Sequence, residues 1–257
     1  MTRALITNDD GITSEGLTHL ARVACDVGLD VVVAAPLDDA SGSSAALTAI
    51  RADGRVVVER RRLNGLPDVD AYAVGAVPAF ITLLATRRAF GPAPDFVLSG
   101  INRGANTGHA VLHSGTVGAA LTGATHGCRA AAISITVETD EPIRWATAAH
   151  VVRRMVPWIV GDTISTVFNI NVPNCDLENL RGIREARLAR FGAVQTNVVE
   201  RGEGFVRLAV ADTNSVLEEG TDAALLTHGY ATVTALEPLC ATISTGLTRF
   251  LNHSDRT

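Results

Sequence analysis

The sequence is poor in the features that mark several classes of protein. Aromatic residues make up 4% of its 257 residues, and an excess of acidic over basic residues gives a formal net charge of −5 at pH 7. A chain of this charge lacks the basic surface with which proteins bind nucleic acid or anionic membranes. No apolar run reaches the length of about 20 residues that a transmembrane helix needs. We therefore expect neither nucleic acid nor a membrane as a partner.

Cysteines are also few and scattered. The four are Cys25, Cys128, Cys175 and Cys240, and no two of them form a C-x-x-C pair. Such spacing indicates neither a zinc site nor a disulfide scaffold. The first residues run directly into an apolar strand, without the pattern of a signal peptide. These observations predict a cytoplasmic protein with reduced thiols.

Hydrophobic residues make up 47% of the chain and fall into short strands and helices. Strand and helix alternate as far as about residue 175, which is typical of a doubly wound, mostly parallel α/β sheet of Rossmann-like type. Alternating runs near 50–74 predict a β excursion, and later runs predict β-hairpins. We expect a single domain over 1–257, with an α/β core over 1–175 and a β-rich C-terminal extension over 176–257.

Two adjacent carboxylates, Asp9 and Asp10, follow the first predicted strand in the segment ALITNDDGITSEG. Neighbouring side chains of a strand point to opposite faces, so the two converge only where the strand ends and Gly11 turns the backbone. A structure that keeps both ionised at close range needs a cation. The same residues also suit an ordinary turn. This segment alone does not decide between the two interpretations.

Two further polar loops follow predicted strands, and ligands of open α/β sheets bind at such ends. A serine hydroxyl, such as that of Ser41, and an asparagine carbonyl, such as that of Asn102, would complete an all-oxygen set with the two acids. That set suits Mg²⁺ or Mn²⁺ and not zinc. The segment HSGT at 113–116 opens a helix whose N–H groups favour an oxyanion such as phosphate, although Ser114 also suits a helix cap. Together these features indicate metal-assisted phosphoryl chemistry.

Several segments resemble, in order and spacing, the SurE family of survival-protein nucleotidases. They are LITNDDGITSEG, VVVAAPLDDASGSS, PDFVLSGINRGAN, LHSGTVGAALTGA, FNINVP and, near the C-terminus, GTDAALLTHGYATVTALEPL. The resemblance covers nearly the whole chain. It implies a SurE-like fold and a hydrolase acting on phosphoric monoesters, chiefly nucleoside 5′- or 3′-monophosphates. It also implies one divalent cation per subunit, Mg²⁺ or Mn²⁺, and a homodimer or homotetramer.

The resemblance also implies roles for individual residues. The metal ligands it implies are Asp9, Asp10, Ser41 and Asn102, and the choice of Ser41 over Ser43 rests on the resemblance. The phosphate-binding residues it implies are Asn106, Ser114, Gly115 and Thr116. Asp9 and Asp10 are also the expected catalytic residues, since an acid of this pair would orient the attacking water. His109 and His113 lie near these loops, where each is either a proton donor to the leaving oxygen or a rim residue.

Two segments depart from the family pattern. The segment AVPAFIT at 76–82 is apolar where the family has a polar one, and Ala40 replaces a basic residue behind Asp38 and Asp39. These changes predict altered specificity more readily than lost catalysis. A phosphatase of a non-nucleotide monoester and a metal-binding protein without turnover therefore stay open as alternatives. An aspartyl-phosphate mechanism is disfavoured, because it uses two acids separated by one residue.

Overall fold

The computed structural model describes residues 2–49, 51–137, 141–161, 166–190, 195–202, 204–211 and 217–241. Its strands are β1 Arg3–Thr7, β2 Asp30–Pro36, β3 Arg51–Ala52, β4 Arg55–Val56, β5 Val58–Leu63, β6 Leu66–Val74, β7 Phe96–Arg103, β8 Arg129–Ile135, β9 Val167–Val172, β10 Ile183–Glu185, β11 Gln195–Gly202, β12 Phe205–Ala211 and β13 Ala231–Leu236. Its α-helices are α1 Glu15–Asp26, α2 Pro78–Thr86, α3 Gly115–Thr125, α4 Trp145–Gly161 and α5 Asp222–Thr227. Two 3₁₀ helices lie at Gly108–His113 and Leu177–Asn179.

One large sheet organises the molecule, with the strand order β10-β13-β9-β8-β7-β1-β2-β6-β5. From β9 to β6 all neighbouring strands are parallel. The chain first moves from β1 to β2 and β6, and then continues on the other side of β1 with β7, β8 and β9. The order therefore reverses between β1 and β7, and such a switch point opens a crevice at the carboxyl ends of the strands. The predicted doubly wound, mostly parallel α/β fold is confirmed.

Helices cover both faces of this sheet, which explains why its central strands are continuous apolar runs. On one face, α1 and α4 pack against alternate sheet residues such as Ile6 and Leu98. On the other face, α2 and α3 pack against the intervening residues, such as Leu5 and Val97. Helix α1 buries one apolar stripe, as helical periodicity predicts, whereas the small residues of α3 are buried on most sides of the helix. None of the helices in the described ranges combines the length and the apolar character needed to span a bilayer.

The β excursion near 50–74 is more closely joined to the core than its sequence suggests. Strands β5 and β6 form an antiparallel hairpin, but β6 also pairs in parallel with β2, so the hairpin extends the large sheet. Strands β3 and β4 form a separate two-stranded ladder. The large sheet therefore ends at β5, which is its edge strand on that side.

The C-terminal third also divides between the core and a separate hairpin. Strands β11 and β12 pair only with each other among the described residues. Strand β13 returns to the large sheet antiparallel to β9, and β10 pairs in parallel with β13. Helix α5 was not predicted, because its six residues are too few to show a helical period. The end of the predicted C-terminal extension, residues 242–257, lies outside the described residues.

Candidate functional site

A cleft of about 280 Å³ opens at the carboxyl ends of the central strands. Five of the residues that the sequence predicts for the site line it: Asp9, Ser41, Asn102, Asn106 and Ser114. Three others, Asp10, Gly115 and Thr116, are absent from its lining. The fold thus gathers residues that are up to 105 positions apart in the chain into one crevice, at the switch point of the sheet.

Asp9 forms the buried floor of this cleft. Its Oδ1 accepts a hydrogen bond of 2.5 Å from Thr116 Oγ1, and its Oδ2 accepts one of 3.1 Å from the Thr116 N–H. The carboxylate therefore lies against the first turn of α3, where the helix dipole favours a negative charge. Burial raises the pKa of Asp9, and the two bonds from Thr116 oppose that rise. Asp9 is thus a desolvated acid held in place by a helix.

Asp10 lies beside the cleft and is partly buried. Its Oδ2 accepts a bond of 3.2 Å from the Arg103 N–H. Burial raises the pKa of Asp10 to about 6, and the negative charges of Asp9 and Asp39 raise it as well. An opposite charge close to such a pair favours the ionised forms. The local chain is also a turn, since Asn8 Nδ2 donates to the Gly11 carbonyl and Gly11 has φ of +94°.

The donors around these acids fit a hard divalent cation. Among the described residues, no three His, Cys, Asp or Glu side chains form a group that could hold a metal ion, so a cation here needs neutral oxygen ligands as well. Ser41 supplies an exposed hydroxyl in the cleft. Asn102 Nδ2 donates to the Gly104 carbonyl at 2.6 Å, which leaves its Oδ1 as an acceptor. Carboxylate, hydroxyl and amide oxygens together suit Mg²⁺ or Mn²⁺.

Ser114 caps the helix that faces the cleft. Its Oγ accepts a bond of 3.1 Å from the Val117 N–H, and the residue is 7% exposed. Since the oxygen is the acceptor in that bond, the hydroxyl hydrogen can still be donated to a ligand. The cap interpretation of the sequence is therefore correct, and it is compatible with binding an anion.

Two glycines let the loop after β2 approach α3 closely. A Cβ on Gly115 would lie 2.6 Å from Ser43 Oγ and 2.9 Å from Asp9 Oδ2. A Cβ on Gly118 would lie 2.2 Å from the Ser44 carbonyl oxygen. All three distances are shorter than real Cβ contacts, so a side chain at either position would push the loop outward. Gly115 thus belongs to the packing behind the cleft, and its buried position gives it no part of the lining.

Three buried polar side chains hold Asn106. Its N–H donates to Asn171 Oδ1 at 2.8 Å, and its carbonyl oxygen accepts from Asn169 Nδ2 at 2.8 Å and Asn171 Nδ2 at 3.0 Å. Its own Nδ2 donates to Ser134 Oγ at 2.9 Å. None of these three partners is among the site residues predicted from the sequence. The available signal was two asparagines spaced by two on one face of an apolar buried strand.

Arg103 and His113 also line the cleft, and both are exposed. Arg103 is not among the site residues predicted from the sequence, although it is a basic residue directly after Asn102 in a glycine-rich loop. The two candidate histidines separate in the structure. His113 lies in the lining, whereas His109, one turn earlier in the 3₁₀ helix, does not.

The segment 76–82, which departs from the family pattern, contributes mainly to packing. Pro78 begins α2, and three of the four residues that follow are buried in that helix. Ala76 and Val77 line a second cavity of about 230 Å³, and Asp38, Asp39 and Ala40 line it as well. The two departures from the family pattern therefore meet at one cavity, behind the loop that carries Ser41.

Comparisons with known proteins agree with this architecture. The family model described as Survival protein SurE matches residues 4–195. The 5′-nucleotidase SurE of Aeromonas hydrophila subsp. hydrophila is 34% identical over 239 residues, which cover 91% of each chain. The 5′/3′-nucleotidase SurE of Photorhabdus laumondii subsp. laumondii is 33% identical and covers 92% of this chain and 90% of its own.

The crystal structure of the SurE protein from Aquifex aeolicus has the same fold. It superposes with a TM-score of 0.74 at 29% sequence identity, covering 93% of this chain and 95% of its own. With a family model that matches most of its length and relatives above 30% identity along nearly all of it, this chain belongs to the SurE family.

Proposed function

We propose that this chain is a metal-dependent phosphomonoesterase whose substrates are nucleoside 5′- or 3′-monophosphates. The observation that carries the proposal is the buried Asp9 carboxylate, held at the start of α3 in one cleft with Ser41, Asn102, Asn106 and Ser114. The nucleotide as substrate is supported by the names of the relatives, which are 5′- and 5′/3′-nucleotidases.

One divalent cation per subunit, Mg²⁺ or Mn²⁺, would be held by Asp9, Asp10, Ser41 and Asn102. When bound, it would supply Lewis acidity to the phosphoryl group and to water. The chain's own part is to bind and orient the substrate. The free hydroxyl hydrogen of Ser114 would donate to one phosphoryl oxygen. Asn106, whose backbone N–H is fixed by Asn171, would bind a second phosphoryl oxygen.

The hydrogen bonds of Thr116 favour a different role from the one that the sequence predicts. Both its N–H and its hydroxyl donate to Asp9, so neither is directed at the cleft. We propose that Thr116 orients Asp9 and acts on the phosphate only through that acid. Gly115, which the sequence also predicts at the phosphate site, would contribute through the close packing that its missing side chain permits.

His113 is the candidate to protonate the leaving oxygen, because it lines the cleft and His109 does not. We expect His113→Gln to slow hydrolysis of a nucleoside monophosphate about 100-fold. An aryl phosphate, whose leaving group needs no proton, should lose less than about threefold. His109→Gln is the matched control and should leave both rates unchanged. Equal losses on the two substrates in His113→Gln would contradict this role.

The proposed function is tested by phosphate release from nucleoside 5′- and 3′-monophosphates and from non-nucleotide monoesters. The panel is run with Mn²⁺, Mg²⁺ or EDTA, beside Asp10→Asn. We expect metal-dependent release that is lost in the variant, and a ranking with nucleotides first. Metal binding without release from any member would instead identify a binding protein without turnover.

A phosphatase of a non-nucleotide monoester is the second candidate. The cavity lined in part by Asp38, Asp39, Ala76 and Val77 favours it, because an acidic and apolar lining is poor in hydrogen-bond donors for the base of a nucleotide. A sugar or alkyl phosphate ranked above every nucleotide in the panel would select this candidate.

The assembly and its location are proposed on the family resemblance. We propose a cytoplasmic homodimer or homotetramer, and the β11–β12 hairpin, which leaves the large sheet, is compatible with a role in subunit contact. Sedimentation equilibrium on the purified chain would give the subunit number.

A further inference from the structure

The segment 104–108, which carries Asn106 into the cleft, is anchored at every second amide. The N–H of residue 104 donates to the Ile135 carbonyl at 2.9 Å, at the end of β8. The N–H of residue 106 donates to Asn171 Oδ1, on β9. The N–H of residue 108 donates to Asp222 Oδ2 at 2.8 Å, on α5. The third anchor thus comes from the C-terminal part of the chain, 114 residues away.

Asp222 is the first residue of α5, and it is fully buried. Its Oδ1 accepts bonds from the Ala189 N–H at 2.9 Å and the Ala223 N–H at 2.8 Å, while Oδ2 accepts from the Gly108 N–H. Among the described residues, no basic side chain bonds to this carboxylate. Burying an acid is costly unless hydrogen bonds compensate its charge, and bonds to an ionised acceptor are the strong ones. Asp222 therefore fastens three separate stretches of chain to one another.

We propose that Asp222 is a positioning residue for the phosphate site. By fixing the N–H of Gly108, it sets the path of the chain between Asn106, two residues before, and Ser114, six residues after. The 3₁₀ helix that bears His113 begins at the same glycine. Small displacements of groups that hold a substrate cost large factors in rate. This inference rests on the proposed function, since it assigns Asp222 to the same cleft.

A purely structural role for Asp222 would be to stabilise α5, and Thr221 provides a control for that. Thr221 is the fully buried cap of the same helix; its Oγ1 accepts from the Ala224 N–H at 3.4 Å and donates to the Glu218 carbonyl at 2.6 Å. No hydrogen bond in the described structure joins its side chain to segment 104–108. Thr221→Val keeps the shape of the side chain and removes the cap, so it should destabilise α5 without releasing Gly108.

The experiment compares Asp222→Asn with Thr221→Val by the melting temperature, kcat, KM and the inhibition constant of inorganic phosphate. We expect Asp222→Asn to raise KM and the phosphate inhibition constant about tenfold, because the amide offers one acceptor oxygen where the carboxylate offers two. Thr221→Val should lower the melting temperature and change both constants less than twofold. Wild-type constants in Asp222→Asn, or equal shifts in the two variants, would overturn the inference.

Hydrogen exchange on the wild-type chain provides a second test if Asp222→Asn does not fold. Coupling is reciprocal, so inorganic phosphate with Mn²⁺ should slow amide exchange in 104–113 and also in 222–227. Protection confined to 104–113 would overturn the inference. Wild-type protein that binds phosphate but releases none from the panel would remove the proposed function alone. Wild-type protein that binds no phosphate would overturn both.

Discussion

The cleft has a floor and a rim that are built differently. We define the floor as Asp9, Asn106 and Ser114, and the rim as the two exposed charged side chains beside it, Asp39 and Arg103. The floor side chains are buried or half-buried, and each is held by hydrogen bonds from or to other parts of the fold. The rim side chains are both exposed. The fold therefore fixes the geometry of the floor, whereas the rim can change without cost to the core.

This difference predicts different kinetic effects. A floor residue is held by hydrogen bonds with its neighbours, so its replacement would disturb the groups that we propose act on the phosphate. A rim residue meets the ligand from solvent, where charges are screened and each contact is worth little. We expect floor substitutions to lower kcat, and rim charges to act mainly on KM.

The largest effect is expected for Asp9→Asn, on the floor. The substitution removes the charge of a proposed metal ligand, and the new amide can accept from only one of the two Thr116 donors. We expect kcat/KM for a nucleoside monophosphate to fall on the order of 10³-fold, measured by phosphate release with saturating Mn²⁺. Asp39→Asn is the matched control, and we expect it to lose less than about threefold. A similar loss in both variants would remove the distinction between floor and rim.

A smaller effect is expected for Thr116→Val, behind the floor. Valine keeps the shape of the fully buried threonine and removes the hydroxyl that donates to Asp9 Oδ1. Substitutions of groups that orient a metal ligand cost roughly 10- to 100-fold in metal affinity or activity. We expect a loss in that range, with weaker Mn²⁺ binding by calorimetry. Thr116→Ser keeps the hydroxyl and should recover most of the activity; if it behaves like the valine variant, packing and not the hydrogen bond is responsible.

The smallest effect is expected for Arg103→Ala, on the rim. The Arg103 side chain is exposed. Its backbone N–H donates to Asp10 Oδ2, and the substitution leaves that bond unchanged. We expect KM to rise roughly three- to fivefold with kcat unchanged, and the dependence of KM on salt to decrease. Kinetics at low and high ionic strength measure both. A large fall in kcat would show that a rim residue contributes to the chemistry.

The floor and the fold differ in how much of each could be predicted from sequence. Strand β1, helix α1 and the alternation of strands and helices follow from local periodicity, which each segment carries in itself. The contact of Asp9 with Thr116 joins residues 107 positions apart, and no local pattern indicates it. The hydrogen bonds that hold Asn106 and the bond from Gly108 to Asp222 likewise depend on which distant parts of the fold lie side by side. Such pairings are set by the fold, so the sequence alone suggested the residues and not their partners.

The edge of the large sheet has a consequence for the behaviour of the protein in solution. Within the described part of the chain, strand β5 has a neighbouring strand on one side only, and an open edge of this kind invites edge-to-edge aggregation. This strand carries Glu59, Arg60 and Arg61, with ion pairs from Arg60 to Asp70 and from Arg61 to Glu59. Charged side chains on an edge strand discourage the addition of another chain. These charged residues are thus expected to oppose the addition of a further strand to the sheet.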